Sequence, residues 1–238
     1  MNRSRNRIGA WAQWTWLAAF ILLMIASRLA QAEDRNDAAL WTVNQIAIPL
    51  DERLTAHLMV QNRWTRSLDS YERTVVRPWL SFDWNERITF ALGYDAHEFE
   101  NPVHALENRA WQRIAYHHDF GVPTLLTHFW LEERFFQGSS KVAWRGRFLV
   151  GASFELPANF GAVIRNEFFV DLNETSRIRR TGLGENQFWI GLNHPLGQWV
   201  KVELGYLMQF LDRKGPDQFN HGLTIGFALR TPSLKELF

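Results

Sequence analysis

Arginine and carboxylate side chains recur at alternate positions along four successive stretches of the chain, and this spacing suits ion-pair chemistry. Residues two apart lie on one face of a β-strand. A planar guanidinium donates several hydrogen bonds to carboxylates, which favours arginine where charges must pair in a confined space. We expect one interlocked polar network built from Arg109, Arg113, Glu132, Arg134, Arg145, Arg147, Arg165 and Glu167.

Eight histidines raise the question of hydrolytic chemistry. His97, His104, His117 and His118 lie near the ends of predicted strands or in loops. No serine or aspartate stands at a spacing that marks it as the nucleophile or base such an enzyme needs. Because adjacent His117 and His118 would point to opposite faces of a strand, they make a poor metal pair. The sequence therefore predicts no catalytic residue, metal site or cofactor, although an enzyme stays an alternative.

Eleven strand-like runs separated by turn signals would position these side chains. Most are longer than the about 5–6 residues of a strand in a soluble sheet, and they match the about 9–11 residues of a membrane-spanning strand. The runs are 40–48, 53–65, 72–83, 87–97, 107–118, 124–136, 142–155, 161–172, 185–194, 198–211 and 220–230.

The connections between these runs alternate in length. Tight turns rich in Pro, Gly, Asn and Asp, such as 83–86 and 194–198, alternate with longer polar links such as 173–184. This asymmetry is typical of outer-membrane barrels, although a soluble up-and-down barrel can show it. Bacterial barrels usually have an even strand number, so we expect ten or twelve strands rather than the eleven counted.

The two faces of each strand differ in character, since apolar and polar residues alternate. Only four of the 26 basic residues are lysine, whereas a sheet exposed to water would normally carry many. Aromatic residues, including Trp41, Trp84, Phe160 and Trp199, cluster near strand ends as in interfacial girdles. We therefore predict apolar rows outside, against lipid, and arginine-rich rows inside the barrel. A soluble periplasmic barrel with the opposite arrangement is the alternative.

The N-terminal residues have the features of an export signal. Three arginines precede a short apolar run, and Ala30-Gln31-Ala32 supplies a small–x–small cleavage site, so we predict a cleaved signal peptide at 1–32. An uncleaved membrane anchor is the alternative. The remaining chain divides into a polar segment at 33–39, the barrel at 40–230 and a tail at 231–238.

The net charge of the chain after residue 32 argues against nucleic acid as a partner. Residues 1–32 hold four of the 26 basic residues and none of the 25 acidic ones. The remaining chain has 22 basic and 25 acidic residues, a net charge of −3. Because binding to phosphate backbones needs a basic surplus, we expect no nucleic-acid partner.

Six short motifs resemble the family called domain of unknown function 2490. They are ENRAWQR (107–113), WLEERFF (130–136), WRGRF (144–148), NEFFV (166–170), FWIGL (188–192) and GYLMQF (205–210). Members of that family are regarded as bacterial outer-membrane β-barrels of unassigned activity. The resemblance implies that Glu107, Arg109 and Gln112 face inward with the Glu132–Arg134 and Arg145–Arg147 pairs. Asn186-Gln187 departs from the Asn-Arg expected there, which leaves open whether the polar network extends to that strand.

The longest loop carries a basic spot at Arg177, Arg179 and Arg180. It could contact lipopolysaccharide phosphates through charge-assisted hydrogen bonds, or it could be an ordinary exposed loop.

Together these features predict an all-β protein. We expect a closed, antiparallel, up-and-down transmembrane β-barrel in the outer membrane of a Gram-negative cell, a narrow or side-chain-plugged barrel that acts as a small-solute pore or structural component. The alternatives are an outer-membrane enzyme acting on lipid or peptide and a soluble periplasmic binding barrel. The expected partners are outer-membrane lipid, lipopolysaccharide and the outer-membrane assembly machinery.

Overall fold

A computed structural model describes residues 35–100, 105–119, 123–178, 180–213 and 216–233. The predicted signal peptide lies outside these residues. They form eleven strands: β1 (Arg35–Pro49), β2 (Leu54–Thr65), β3 (Ser70–Asp83), β4 (Ile88–Phe99), β5 (Ala105–Asp119), β6 (Thr124–Phe136), β7 (Ala143–Glu155), β8 (Gly161–Asp171), β9 (Gly182–Leu196), β10 (Val200–Leu211) and β11 (Gln218–Arg230). A short 3-10 turn, Pro157–Asn159, precedes β8. Within the described residues, no helix has the length and apolar character needed to span a membrane.

The strands close into one barrel. Sequence neighbours pair antiparallel, and the barrel closes where β1 pairs in parallel with β11, from Arg35 opposite Gln218 to Ala47 opposite Arg230. The predicted fold class, an all-β closed barrel of about ten to twelve strands, is thereby confirmed. The expectation of an even number is wrong, because closure requires only that every strand edge be hydrogen-bonded, and a long parallel pairing achieves this.

The first strand begins earlier than the sequence pattern indicates. The polar segment predicted at 33–39 was expected to lie outside the barrel, yet β1 includes Arg35–Ala39, which pair with β11. Asp37 belongs to this extension, and its carboxylate accepts hydrogen bonds from the backbone N–H groups of Arg66 (2.7 Å) and Ser67 (2.8 Å). A polar residue at the end of a strand is useful there because it satisfies donors of the adjacent turn.

The two ends of the barrel have different connections. At one end, called here the turn end, short turns are closed by side chains: Asp51 accepts from the N–H groups of Arg53 and Leu54, and Asn85 from those of Arg87 and Ile88. The opposite end, called here the loop end, carries the longer connections, of which 172–181 joins β8 to β9. The alternation of short and long connections read from the sequence is present in the fold.

The outer wall is apolar and the inner wall is polar. Leu92, Phe129 and Leu204 on the outer wall are 64%, 54% and 53% exposed, whereas Asp95 and Glu132 on the inner wall are 0% exposed. Successive residues of each strand alternate between these walls, as the pleat requires. The barrel therefore has the inverse polarity of a soluble β-barrel, whose apolar side chains face inward.

Candidate functional site

The barrel lumen brings most of the charged side chains together, and two tryptophans lie flat against its wall. A Cβ atom at Gly93 would collide with the Trp111 ring, and one at Gly205 would collide with Trp189. Glycine at these positions lets each ring lie on the neighbouring strand. The indole N–H of Trp111 donates to Asp95 (2.6 Å), and that of Trp189 donates to the hydroxyl of Thr224 (2.6 Å).

A chain of ion pairs runs along the inner wall toward the loop end. Glu107 accepts from Arg109 at 2.8 Å and from Arg134 at 2.6 Å. Arg134 also contacts Asp171 at 3.3 Å, and Asp171 accepts from Arg145 at 2.8 Å. Strands β5, β6, β7 and β8 are thus joined through side chains as well as through their backbones.

A second branch joins this chain at Arg109. Glu132 lies 3.6 Å from Arg109 and accepts from Arg147 at 2.6 Å, while Arg147 also contacts Glu167 at 2.7 Å. Arg145 extends the network to β9, where Glu185 lies 3.7 Å away. Because these groups are buried, each charge depends on its partners: removing one partner of a buried ion pair typically costs about 3–5 kcal/mol.

The structure places the predicted network residues in three groups. Glu107, Arg109, Glu132, Arg134, Arg145, Arg147 and Glu167 belong to the ion-pair chain. Arg113 and Arg165 line the lumen but have no carboxylate within 4.0 Å among the described residues. Gln112 is the third case, and its predicted inward direction is wrong. It lies on the exposed outer wall near Glu133, since a strand sends adjacent residues to opposite faces and Arg113 faces inward.

Two members of the network were missed from the sequence. Asp171 lies on the same face of β8 as Glu167, and this alternation in the sequence is enough to predict that it belongs to the ion-pair network. Glu185 was harder to place, since the β8–β9 register is irregular between Phe169 and Val170. Gln187 stands where the family resemblance predicts an arginine, yet the polar network still reaches β9. Gln187 donates to Glu185 at 2.6 Å.

Trp130 is surrounded by three guanidinium groups. The guanidinium carbons of Arg77, Arg113 and Arg147 lie 5.2, 5.1 and 4.1 Å from the centre of its ring. Arg77 is neutralised by Asp95 and Arg147 by Glu132 and Glu167. Arg113 has no such partner, and its guanidinium makes no hydrogen bond with the described residues.

Two other arginines share this arrangement of a tryptophan face without a carboxylate. Arg63 lies 3.7 Å from the centre of the Trp41 ring and hydrogen-bonds only to Gln61 among the described residues. Arg165 lies 4.1 Å from the centre of the Trp189 ring. Trp41, expected from the sequence to belong to an interfacial girdle, lies in the lumen.

A central cavity and a vestibule lie in the lumen that the described residues form. A central cavity of about 300 Å³ is lined by Arg63, Arg113 and Arg165, and a vestibule of about 1100 Å³ opens at the loop end. Arg73, Arg109 and Glu185 line both cavities and therefore stand between them. Within the described residues, charged side chains narrow the passage between the two cavities.

The predicted basic spot contributes to the vestibule through two of its three residues. Arg177 and Arg180 line it, while Arg179 lies outside the described residues. Arg180 donates to Asp212 at 2.9 Å, and this hydrogen bond raises the pKa of Arg180 above its ordinary value. Contact of this spot with lipopolysaccharide stays a prediction.

Comparisons with known proteins identify the family of this chain and a solved structure with a similar fold. The family model described as "Protein of unknown function (DUF2490)" matches residues 38–220, which confirms the family that the sequence motifs resemble. An uncharacterized protein of Methylorubrum extorquens is 26% identical over 200 residues, covering 81% of this chain and 87% of the relative. The NanC porin structure is similar with a TM-score of 0.53 at 9% identity, covering 82% of this chain and 99% of the porin. The last similarity concerns the fold.

Proposed function

We propose that this chain, which belongs to the DUF2490 family of proteins of unknown function, is an outer-membrane barrel that forms a narrow pore for small solutes. The observation that carries the proposal is the inverse polarity of the barrel wall. Monomeric soluble proteins rarely expose apolar patches larger than a few hundred Å². Here large apolar side chains are exposed on strands all around the barrel, including Leu80, Ile114, Phe148, Ile190 and Leu223.

Further features support a membrane location. Trp84 and Trp199 are exposed near the turn end, as aromatic residues are at a membrane interface. Strands of 11 to 15 residues are long enough to cross the bilayer with a tilt. The predicted signal peptide at 1–32 would export the chain. Outer-membrane lipid and the machinery that assembles outer-membrane barrels are the partners this location entails.

The contents of the lumen bear on whether the barrel is a pore or has a purely structural role. The central cavity and the vestibule favour passage of small solutes, whereas the ion pairs between them favour a closed barrel. Side chains can largely fill the interior of small barrels. The structural barrel is therefore the second candidate, and it rests on the contacts of Arg109 with Glu107 and Glu132 at the junction of the two cavities.

Conductance across a planar bilayer separates the two candidates. We expect the refolded protein to produce small, discrete current steps. Gly226 faces the central cavity, and a Cβ atom there meets its nearest neighbour at an ordinary 3.4 Å, so a side chain can be added. Gly226→Leu should lower the step size by filling the cavity. The adjacent outward substitution, Phe227→Leu, should leave the step size unchanged.

Two results would contradict the proposal. A protein that shows the heat-modifiable mobility of a folded barrel yet leaves the bilayer sealed would favour the structural barrel. Recovery of the protein in the soluble periplasmic fraction of cells, without detergent, would exclude the membrane location.

A further inference from the structure

The central cavity is surrounded by hydrogen-bond donors that lack acceptors. The indole nitrogens of Trp41, Trp79 and Trp130 are buried and have no hydrogen-bond partner among the residues that the structure describes. The Nε atoms of Arg73 and Arg113 are in the same condition. All five residues line the central cavity. Buried polar groups are normally hydrogen-bonded, so this concentration of unmatched donors indicates an acceptor that the described part of the chain does not provide.

The charged side chains that line the cavity also favour an anion. Arg63, Arg113 and Arg165 have no carboxylate within ion-pair distance among the described residues. Of the glutamates that line the cavity, Glu167 and Glu185 contact arginines, which leaves Glu203 as the carboxylate without an ion pair in the described part of the chain. The unpaired charges of the cavity are therefore mainly positive.

Three of the residues that carry unmatched donors, Arg113, Trp79 and Trp130, lie in one part of the cavity, where Arg113 is 5.1 Å from the centre of the Trp130 ring. Trp130 belongs to a buried cluster with Ala91 and Trp111, and Trp79 packs against that cluster. Ala91 lies opposite Arg113 in the β4–β5 pairing, and its small side chain leaves room around the guanidinium. The side chains of Arg113, Trp79 and Trp130 therefore line the same region of the lumen.

We propose that the central cavity binds a small oxyanion, a carboxylate or a phosphate group, at Arg113 with Trp79 and Trp130 as further donors. This site deepens the proposed pore by naming the class of solute that its lumen prefers. Its volume of about 300 Å³ is at the lower end of the range of small-molecule sites, about 300–1,000 Å³.

Other occupants fit the site less well. Water satisfies donors but leaves the guanidinium charge without a counter-ion, and an unpaired charge away from bulk water is costly. A cation could bind an aromatic face, but three guanidiniums already surround Trp130. An oxyanion supplies both the acceptor oxygens and the opposite charge.

Calorimetric titration of the refolded barrel in detergent micelles tests the site. Sodium acetate and sodium phosphate are used in separate titrations, in zwitterionic buffer at low chloride. We expect at least one of them to bind, and Arg113→Gln to weaken that binding about tenfold or more, since a charge-assisted contact is lost. Arg113→Lys keeps the charge without the planar fork and should weaken binding less.

Arg87→Gln is the matched control. Arg87 lies exposed in a turn at the turn end, so its replacement removes the same charge outside the lumen and should leave binding unchanged. Heat-modifiable mobility verifies that each variant is folded. If Arg113→Gln does not fold, Trp130→Phe removes a single donor from the same site and should weaken binding several-fold.

Each result of the titrations either supports or overturns the oxyanion site. Binding of acetate alone, phosphate alone or both identifies the oxyanion that the site accepts. Absence of binding to both, or unchanged affinity in the folded Arg113→Gln variant, overturns the site. Because binding in micelles does not require conduction, a barrel that binds but does not conduct would overturn only the pore. A barrel that conducts but does not bind would overturn only the site.

Discussion

The two halves of the lumen wall are filled in different ways. Strands β4 to β8 carry charged groups, most of which neutralise one another through ion pairs, with Arg113 and Arg165 as exceptions. Strands β10, β11, β1 and β2 carry mainly uncharged side chains, with Arg63 and Glu203 as exceptions in the central cavity. Asn220 donates to Gln209 at 2.8 Å, and Thr224 donates to the carbonyl of Gly205 at 3.1 Å. Both halves present the same apolar outer wall. The comparison shows that inward-facing polar side chains of one barrel can be paired in two ways, by ion pairs in one half and by hydrogen bonds between uncharged groups in the other.

The difference between the halves is energetic as well as chemical. Amide and hydroxyl groups cost little to bury once they are hydrogen-bonded, and each bond adds about 0.5–1.5 kcal/mol. Buried charges cost several kcal/mol to desolvate, so the charged half depends on every partner being present. The charged half should therefore tolerate substitution less well than the neutral half.

The largest loss of stability is expected from a substitution in the charged half of the lumen wall. Glu132→Gln keeps the shape of the side chain but removes the charge that neutralises Arg147 and Arg109. Removing one partner of a buried pair costs about 3–5 kcal/mol, which should appear as a lower urea midpoint for unfolding from lipid vesicles. Glu133→Gln is the control, since Glu133 is adjacent but faces outward. Equal losses in the two variants would contradict the network.

A charge placed on the outer wall of the neutral half should come next. Leu204→Arg puts a guanidinium on the lipid face and is expected to cost about 2–4 kcal/mol if it lies near the midplane of the bilayer. Assembly should fail, which loss of the heat-modifiable folded band would report, whereas Leu204→Phe should assemble. Normal folding of the arginine variant would show that this wall does not contact lipid.

A smaller effect is expected inside the neutral half. Thr224→Val preserves shape but removes the acceptor of the Trp189 indole and the donor to Gly205. Leaving a buried donor unsatisfied costs about 1–3 kcal/mol, so the urea midpoint should fall less than in Glu132→Gln. Thr42→Val on the outer wall of β1 is the control. A Thr224→Val loss that matches the Glu132→Gln loss would remove the distinction between the two halves.

Much of the fold could be predicted from the alternation of residues. All eleven runs are strands, and the polar rows face the lumen because the pleat fixes direction once one residue is assigned. The misplacement of Gln112 came from transferring a motif without its alternation. The strand number was misjudged because parity is a habit of bacterial barrels rather than a condition for closure.

Less of the site could be predicted. The contact of Arg77 with Trp130 joins β3 to β6, and the unmatched donors around the cavity depend on which rotamers fill the lumen. Alternation determines a face, but it does not determine the register between strands or the distances across the barrel. The three arginines that lie over tryptophans without a carboxylate therefore have no signature in the sequence.

The inverse polarity of the wall can be tested most directly by accessibility along β10. The chain has no cysteine, so single cysteines can be introduced at 202, 203, 204, 206, 207 and 209 and spin-labelled in lipid vesicles. We predict that labels at Val202, Leu204 and Tyr206 are accessible to oxygen dissolved in the bilayer, while labels at Glu203, Leu207 and Gln209 are not. Labels at the even positions that are accessible to a water-soluble relaxation agent instead would contradict the account.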